Sequence, residues 1–286
     1  MINVASLTAI VVLLVVQTMT KKLCVGRGMS GAVSFSLGSV FFALTVFLCP
    51  VLFGFDFAAP TLGYSLGFAV CYSAAVVFGI LAIQEGPLSV TALISSMSLI
   101  IPTFYGLFAL GEPRSVWLYM GICCLCASLV LINIERKGEK KKLTLRWGIY
   151  TLLAFVGNGA CSTVQKVQIV NQGGAYKNEF MVMALAMSLV VILIFALVRE
   201  GKAVASNLRK GFFYFALCGL ANGAANFLVI FLSGGRVASS VLFPVVSAGS
   251  TVLTVVISLV WFRERLSRVQ WVAVAMGVVS IVLLNL

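Results

Sequence analysis

Long apolar segments follow one another along the whole chain and leave only short connections between them. Their approximate bounds are 2–20, 34–54, 61–84, 88–110, 115–134, 147–168, 178–198, 211–233, 237–260 and 267–286. A helix rises about 1.5 Å per residue, so about 20 apolar residues cross the ~30 Å hydrocarbon layer of a bilayer. Backbone polar groups in lipid need internal partners, and unbroken runs of this length favour helices over barrel strands. The pattern predicts an all-α, polytopic membrane protein with ten transmembrane helices.

The composition agrees with this fold class and excludes several kinds of function. Of the 286 residues, 61% are hydrophobic and only 10% are charged, against about 25% charged in a soluble domain. The chain has no histidine, which excludes His-based metal sites, proton shuttles and Ser-His-Asp catalysis. The segments also lack a convergent set of titratable groups, so we predict that the protein is not an enzyme and uses no cofactor.

Lys and Arg are concentrated in one set of alternate connections. Counted with their flanks, the connections after the odd-numbered segments hold sixteen of the twenty basic residues, and those after the even-numbered segments hold three. The positive-inside rule then places the odd connections in the cytoplasm and both termini outside. This topology accounts for the net charge of +12, so we infer no nucleic-acid partner. We expect a multi-pass protein in the plasma (inner) membrane.

Two charged islands between apolar segments share a pattern. GEPRS at 111–115 and RERLS at 263–267 both contain Glu-x-x-Ser, at an offset of 152 residues. The same offset continues into the helix that follows each island, where it pairs Ser128 with Ser280 and Asn133 with Asn285. Apolar composition alone explains the shared Ser and Asn positions poorly. The offset therefore indicates an internal duplication.

The duplication predicts two five-helix repeats. Residues 1–134 form the first repeat, 135–146 a basic connecting segment, and 147–286 the second repeat. Because each repeat has an odd number of helices, the second copy enters the membrane upside down. Glu112 and Glu264 then begin equivalent helices, where a carboxylate complements the helix dipole.

A family resemblance follows from these segments. The stretch AIQEGPLSVTALISSMSLIIPTFYGLFALGEPRS at 82–115, followed by an apolar helix ending in Asn133, resembles the EamA-like transporters of the drug/metabolite transporter superfamily. Its counterpart at 234–267 resembles both that family and the last two helices of small multidrug resistance proteins. The resemblance implies that helices 1–4 and 6–9 surround a central substrate cavity while helices 5 and 10 lie at the periphery.

Polar side chains within the segments are our candidates to line such a cavity, because amides and charges in hydrocarbon are costly unless they face protein or water. The predicted substrate-binding residues are Gln17, Ser95, Ser98, Tyr105, Asn158, Gln165, Lys166, Asn222, Asn226, Ser247 and Thr251. The alternative for the amides and hydroxyls is packing between helices. Lys166 either snorkels to the membrane interface or presents its charge to an anionic group of the substrate. A further stripe of small residues on helix 3 predicts a packing face: Gly63, Gly67, Cys71, Ala75 and Gly79.

These observations favour a secondary transporter that moves a small polar metabolite, such as an amino acid, by alternating access between the repeats. The deep interior has no Asp or Glu, which argues against the exchange of protons for hydrophobic cations at one buried acid. The expected partners are a small-molecule substrate and the lipid bilayer, and the sequence defines no coupling ion. The alternatives are a lipid flippase and a membrane scaffold that transports nothing.

Overall fold

The computed structural model describes most of the chain, and its regular structure is helical. The described residues are 2–26, 31–52, 54–85, 91, 94–95, 97–111, 115–134, 144–233, 238–262 and 268–283. No strand occurs within these ranges, which confirms the predicted all-α class. Glu112, Glu264 and most of the connecting segment lie outside them, so the predicted helix-dipole role of the two carboxylates stays a prediction.

Ten helices lie in the described ranges, and each overlaps one predicted segment. They are α1 (Ile2–Gly26), α2 (Ala32–Val51), α3 (Ala59–Glu85), α4 (Ile100–Phe108), α5 (Val116–Ile134), α6 (Leu145–Asn171), α7 (Lys177–Glu200), α8 (Ala203–Ser233), α9 (Ser239–Phe262) and α10 (Arg268–Leu283). Among the described residues, α1, α2, α3, α7 and α8 are long and apolar enough to cross a membrane.

Helix α4 differs from the unbroken segment 88–110 that the sequence predicts. Ser98 and Leu99 form a turn, and α4 begins only at Ile100. Pro102 has no N–H and cannot bond the carbonyl of Ser98 four residues earlier. That carbonyl accepts the N–H of Ile101 at 3.1 Å, and the Ser98 hydroxyl donates to the carbonyl of Ser95 at 2.6 Å. The proline therefore interrupts the helix close to one of the predicted binding residues.

The core lies where α2, α3, α6, α7 and α8 meet. Its largest fully buried side chains include Phe47 of α2, Phe68 of α3 and Phe180 of α7. Helix α5 packs mainly against α10, and these two also contact α9. Helices 5 and 10 therefore lie beside the core, as the family resemblance implies.

Glycines fix the relative direction of two helix pairs. A Cβ at Gly38 would lie 2.5 Å from the ring of Phe215, and Gly219 packs directly against the carbonyl of Ser39. Residue numbers rise together along this contact, so α2 and α8 run parallel. Between α3 and α6 the numbers run in opposite directions, with Gly157 beside Cys71 and Gln172 bonded to Thr61. These two helices are therefore antiparallel.

The small-residue stripe on α3 is mostly the packing face that the sequence predicts. A Cβ at Gly157 of α6 would lie 2.7 Å from the carbonyl oxygen of Cys71 and 2.9 Å from the amide nitrogen of Ala75. Gly79 lies opposite Ala154 of the same helix. Gly63 is different, because a Cβ there would meet nothing within 4 Å; α6 does not cover it.

The two halves can be compared by exchanging α1 with α6, α2 with α7, and so on to α5 with α10. The list of helices in contact is nearly unchanged by this exchange. The contact of α3 with α6 becomes that of α8 with α1, and the contact of α2 with α8 becomes that of α7 with α3. The contact of α1 with α9 becomes that of α6 with α4. All of these pairs are in contact, so the two halves are arranged alike.

Two ends of the bundle are used as reference points below. End A is where α2 starts and α7 ends, and there Val33 contacts Glu200. End B is the opposite end, where α3 starts and α6 ends, and there Gln172 contacts Thr61. Because α8 runs parallel to α2, it starts at End A and finishes at End B.

Candidate functional site

A polar cluster of one buried and two half-buried side chains joins α3 to α8. Asn222 donates through Nδ2 to the hydroxyl of Tyr72 at 2.9 Å. Asn226 donates through Nδ2 to Asn222 at Oδ1, 2.5 Å away, and at the backbone carbonyl, 3.0 Å away. Tyr72 is 8% exposed and stacks on Phe68 with ring centroids 5.5 Å apart. We call Tyr72, Asn222 and Asn226 the tyrosine–asparagine cluster.

This cluster brings together two of the predicted binding residues. Asn222 and Asn226 are one helical turn apart, and they share a face of α8 as their spacing predicts. Sequence analysis missed Tyr72, because a tyrosine within an aromatic-rich apolar helix gives no signal of its partner 150 positions away. The cluster connects a helix of the first five with a helix of the second five, so it lies where the two halves meet.

A second set of predicted residues lies along α6. Asn158 donates through Nδ2 to the hydroxyl of Ser98 at 2.5 Å. Ser98 lies in the turn directly before α4. Cys161, one turn further on, belongs to the same core cluster as Tyr72. Gln165 follows after one more turn and is 3% exposed, and its Nε2 has no hydrogen-bond partner among the described residues. This face of α6 thus presents polar groups to α4 and to the core.

The structure buries Lys166 and gives its ammonium group a partner inside the protein. The residue is only 6% exposed, and its Nζ donates to the carbonyl of Ser233 at 3.1 Å. Ser233 is the last residue of α8, whose terminal carbonyls carry the negative end of the helix dipole. A cation there is stabilised by both the hydrogen bond and the dipole.

The other predicted residues are more scattered. Gln17 on α1 and Tyr105 on α4 are half-buried, and the described contacts include no hydrogen bond from either to another candidate. Ser247 on α9 is buried and lies close to the α4 region. Thr251 lies on α9, but its side chain is outside the described part of the structure.

Two cavities border these residues. A closed one of about 10 Å³ lies between the α4 region, α5 and α9, is lined by Thr103, Pro244 and Ser247 among others, and has room for at most one water. An open, apolar groove of about 350 Å³ lies between α3, α4 and α6 and is lined by Tyr64, Ile101, Ala160, Thr163, Val164 and Val167. Neither reaches the tyrosine–asparagine cluster. Asn222 and Asn226 are half-buried, and the central substrate cavity around them stays a prediction.

Sequence analysis missed a carboxylate at End A. Glu200, the last residue of α7, is half-buried and accepts the N–H of Val33 at 2.8 Å. It also accepts the N–H of Ser34 at 3.3 Å and the Ser34 hydroxyl, and Asn207 of α8 donates to it at 3.2 Å. In the sequence, Glu200 lies between Arg199 and Lys202 at the end of an apolar segment. Such a position is typical of a solvated residue, which is why its contacts were missed.

A neutral amide network at End B was also missed. Gln168 is fully buried and donates through Nε2 to Gln172 at 2.7 Å and to the carbonyl of Ala175 at 2.9 Å. Gln172 donates in turn to the Thr61 hydroxyl at 2.8 Å. Asn171, Gln172 and Gln168 crowd into the last turns of one helix, and this density of amides was the signal available in the sequence.

Comparison with known proteins supplies the remaining evidence. The profile described as the EamA-like transporter family matches residues 145–286. No curated protein matches the chain. Twenty-eight solved chains match, and one crystal structure superimposes with a TM-score of 0.72 at 14% identity, covering 98% of this chain and 94% of that one. At this identity the likeness shows a shared fold.

Proposed function

The match over residues 145–286 makes this chain a member of the EamA-like transporter family, and on that premise we propose that it carries a small polar metabolite across the membrane by alternating access. Members of this family are membrane transporters, so the chain is a multi-pass membrane protein with a small-molecule substrate. The observation that best supports transport of a polar metabolite by alternating access is the tyrosine–asparagine cluster. It places buried and half-buried hydrogen-bonding groups between α3 and α8, helices that belong to different halves.

The proposal includes ten transmembrane helices in two inverted repeats, 1–134 and 147–286. The exchange pattern of helix contacts supports it. The corresponding helices α2 and α7 also meet with the start of one against the end of the other, through Val33 and Glu200, as inversion requires. The paired residues Ser128 and Ser280 are both buried, and α10 approaches α5 there.

The proposed orientation places End A in the cytoplasm and both termini outside, in the plasma (inner) membrane. Lys21, Arg199, Lys202 and Lys210 lie near the helix ends that make up End A, which fits the positive-inside rule. A periplasmic reporter fused after Leu286 in a bacterial host should be active. An inactive periplasmic fusion together with an active cytoplasmic one would reverse the orientation.

The side chains favour a solute that both donates and accepts hydrogen bonds. Amides do both, and the interior contains Asn158, Gln165, Asn222 and Asn226 but no carboxylate that would attract a cation there. We therefore propose a neutral, zwitterionic or anionic metabolite, with an amino acid or a related compound as the leading class. The proposal includes no cofactor and no catalytic step, and it assigns no coupling ion.

Transport by liposomes containing the full chain tests this function. We expect a metabolite mixture loaded inside to lose at least one component, and Asn222→Leu to slow that loss about tenfold or more because Tyr72 and Asn226 lose a hydrogen-bond partner. Asn178→Leu is the matched control, since Asn178 lies in the first turn of α7 and the described contacts include no hydrogen bond from its side chain; it should stay within about twofold of wild type. If folded wild-type protein moves and binds no solute, the transport proposal is wrong.

One observation favours a second candidate, lipid flipping. The groove between α3, α4 and α6 is open and apolar, and such a lateral groove suits an acyl chain. The same liposomes, with a fluorescent lipid in one leaflet, distinguish the two functions. Lipid movement without solute movement would favour the flippase. A scaffold would move neither and would tolerate replacement of Asn158, Asn222 and Asn226.

A further inference from the structure

The carboxylate of Glu200 occupies the start of a helix in the other half of the molecule. Its donors are two backbone N–H groups of the first turn of α2, the Ser34 hydroxyl and the side chain of Asn207. The N-cap of α2 is Gly31, which supplies no side-chain hydrogen bond. Glu200 thus satisfies N–H groups that a helix leaves unpaired at its start, and its charge complements the helix dipole.

Around this contact, α2 pairs with α8 and α3 with α7, and α2 and α7 also pack against each other. Helices α2 and α8 approach at backbone distance, since a Cβ at Gly223 would lie 2.9 Å from the carbonyl of Ala43. Helices α3 and α7 are joined by the Ser65 hydroxyl, which donates to the carbonyl of Phe180 at 3.1 Å. Glu200 belongs to the second pair, and all its donors belong to the first. The carboxylate therefore joins the two pairs at End A.

Among the described residues, End B has no equivalent of this contact. The equivalent contact in the other half would be a carboxylate at the end of α2 that accepts hydrogen bonds from the start of α7. The N-cap of α7 is Tyr176, which makes no side-chain hydrogen bond, and the acidic residue of the first turn is Glu179 of α7 itself. Within the described part of the chain, no side chain from the α2 end bonds to the start of α7. The Glu200 contact therefore does not follow the exchange pattern of the helix contacts.

We propose that Glu200 is the gate residue of End A in the transport cycle. Its bonds to Val33, Ser34 and Asn207, which we call the Glu200 latch, keep the two helix pairs together at this end. The latch must break when End A opens. This inference rests on the proposed alternating-access function and adds the residue that controls one of its two openings.

Cysteine reactivity tests the latch without a known substrate. Single reporters Ser36→Cys at End A and Ser65→Cys at End B replace buried serines, 2% and 0% exposed, in a background whose eight native cysteines are changed to serine or alanine. Full-length protein in lipid nanodiscs is labelled with a membrane-impermeant maleimide. We expect Glu200→Gln to raise the End A labelling rate about tenfold, since hydrogen bonds to a charged group are lost, and to leave the End B rate unchanged.

The controls separate a gate from a simple structural cap. Glu179→Gln makes the same chemical change at the opposite end of α7 and should leave the Ser36→Cys rate at the wild-type value. If Glu200→Gln does not give folded protein by thermal unfolding and size exclusion, Ser34→Ala and Asn207→Ala each remove one donor and should give smaller increases. An unchanged End A rate in folded variants, or an equal increase at both ends, would overturn the gate. Wild-type protein that moves no solute would instead reject the transport function.

Discussion

End A and End B are closed by chemically different contacts, although the helices that form them are arranged alike. At End A one carboxylate accepts hydrogen bonds from two helices of the opposite pair. At End B the bonds that connect α6 to α3 are neutral, from Gln172 to Thr61 and from Asn171 to Tyr64. Hydrogen bonds to a charged group contribute about 1.5–3 kcal/mol and neutral ones about 1 kcal/mol. The Glu200 contact at End A is therefore stronger than the bonds from α6 to α3 at End B, where the one described charged bond is that from Lys166 of α6 to Ser233 of α8.

The difference shows where the preference of such a molecule for one conformation is encoded. Two identical inverted repeats would close both ends with equal free energy. Here the helix packing retains the exchange pattern, while the side chains at the helix ends do not. We infer that a few residues at the ends, and not the packing of the helices, determine which side opens more easily.

The largest expected effect concerns the α2–α8 pair, on which the comparison depends. Gly219→Leu should lower the free energy of unfolding by at least about 3 kcal/mol, because even a Cβ would lie 2.7 Å from that of Phe42 and closer still to the Ser39 carbonyl. Gly63→Leu is the control, since a Cβ there meets nothing within 4 Å, and it should leave the thermal midpoint unchanged or slightly higher. Equal losses in both variants would contradict the close packing of α2 on α8.

The next effect compares the two ends directly. Glu200→Ala should lower the free energy of unfolding by about 2–3 kcal/mol, and Gln172→Ala by about 1 kcal/mol, because only the first removes charge-assisted bonds. Thermal or denaturant unfolding of both variants in the same detergent measures the difference. A Gln172→Ala loss as large as that of Glu200→Ala would mean that the two ends are held equally.

Sequence patterns predicted the helices well and their partners poorly, for physical reasons. Apolar length determines whether a segment can cross a membrane, so the helix positions follow from local composition. The shared face of Asn222 and Asn226 also follows from local periodicity. Their bond to Tyr72 depends on which helices meet, and local periodicity does not contain that information. Glu200 was missed for the same reason, since its donors lie on other helices.

The contact of Lys166 with α8 was missed for a related reason. A lysine toward one end of an apolar helix has enough reach to bring its charge to the membrane surface, and nothing local argues against this. The end of α8 lies within its reach at Ser233, which satisfies the ammonium group inside the protein. Position along one helix therefore gives the depth of a charge but not its partner.

The smallest expected effect on the free energy of unfolding concerns Lys166, which contacts α8 at End B. Lys166→Gln should lower the free energy of unfolding by about 0.5–1 kcal/mol, because the amide keeps a donor for Ser233 but loses the favourable interaction with the α8 dipole. Lys166→Arg keeps the charge and should stay closer to wild type. If the lysine also attracts an anionic substrate, Lys166→Gln should weaken transport of that substrate more than Lys166→Arg does. Equal transport with unequal stability would limit Lys166 to capping α8.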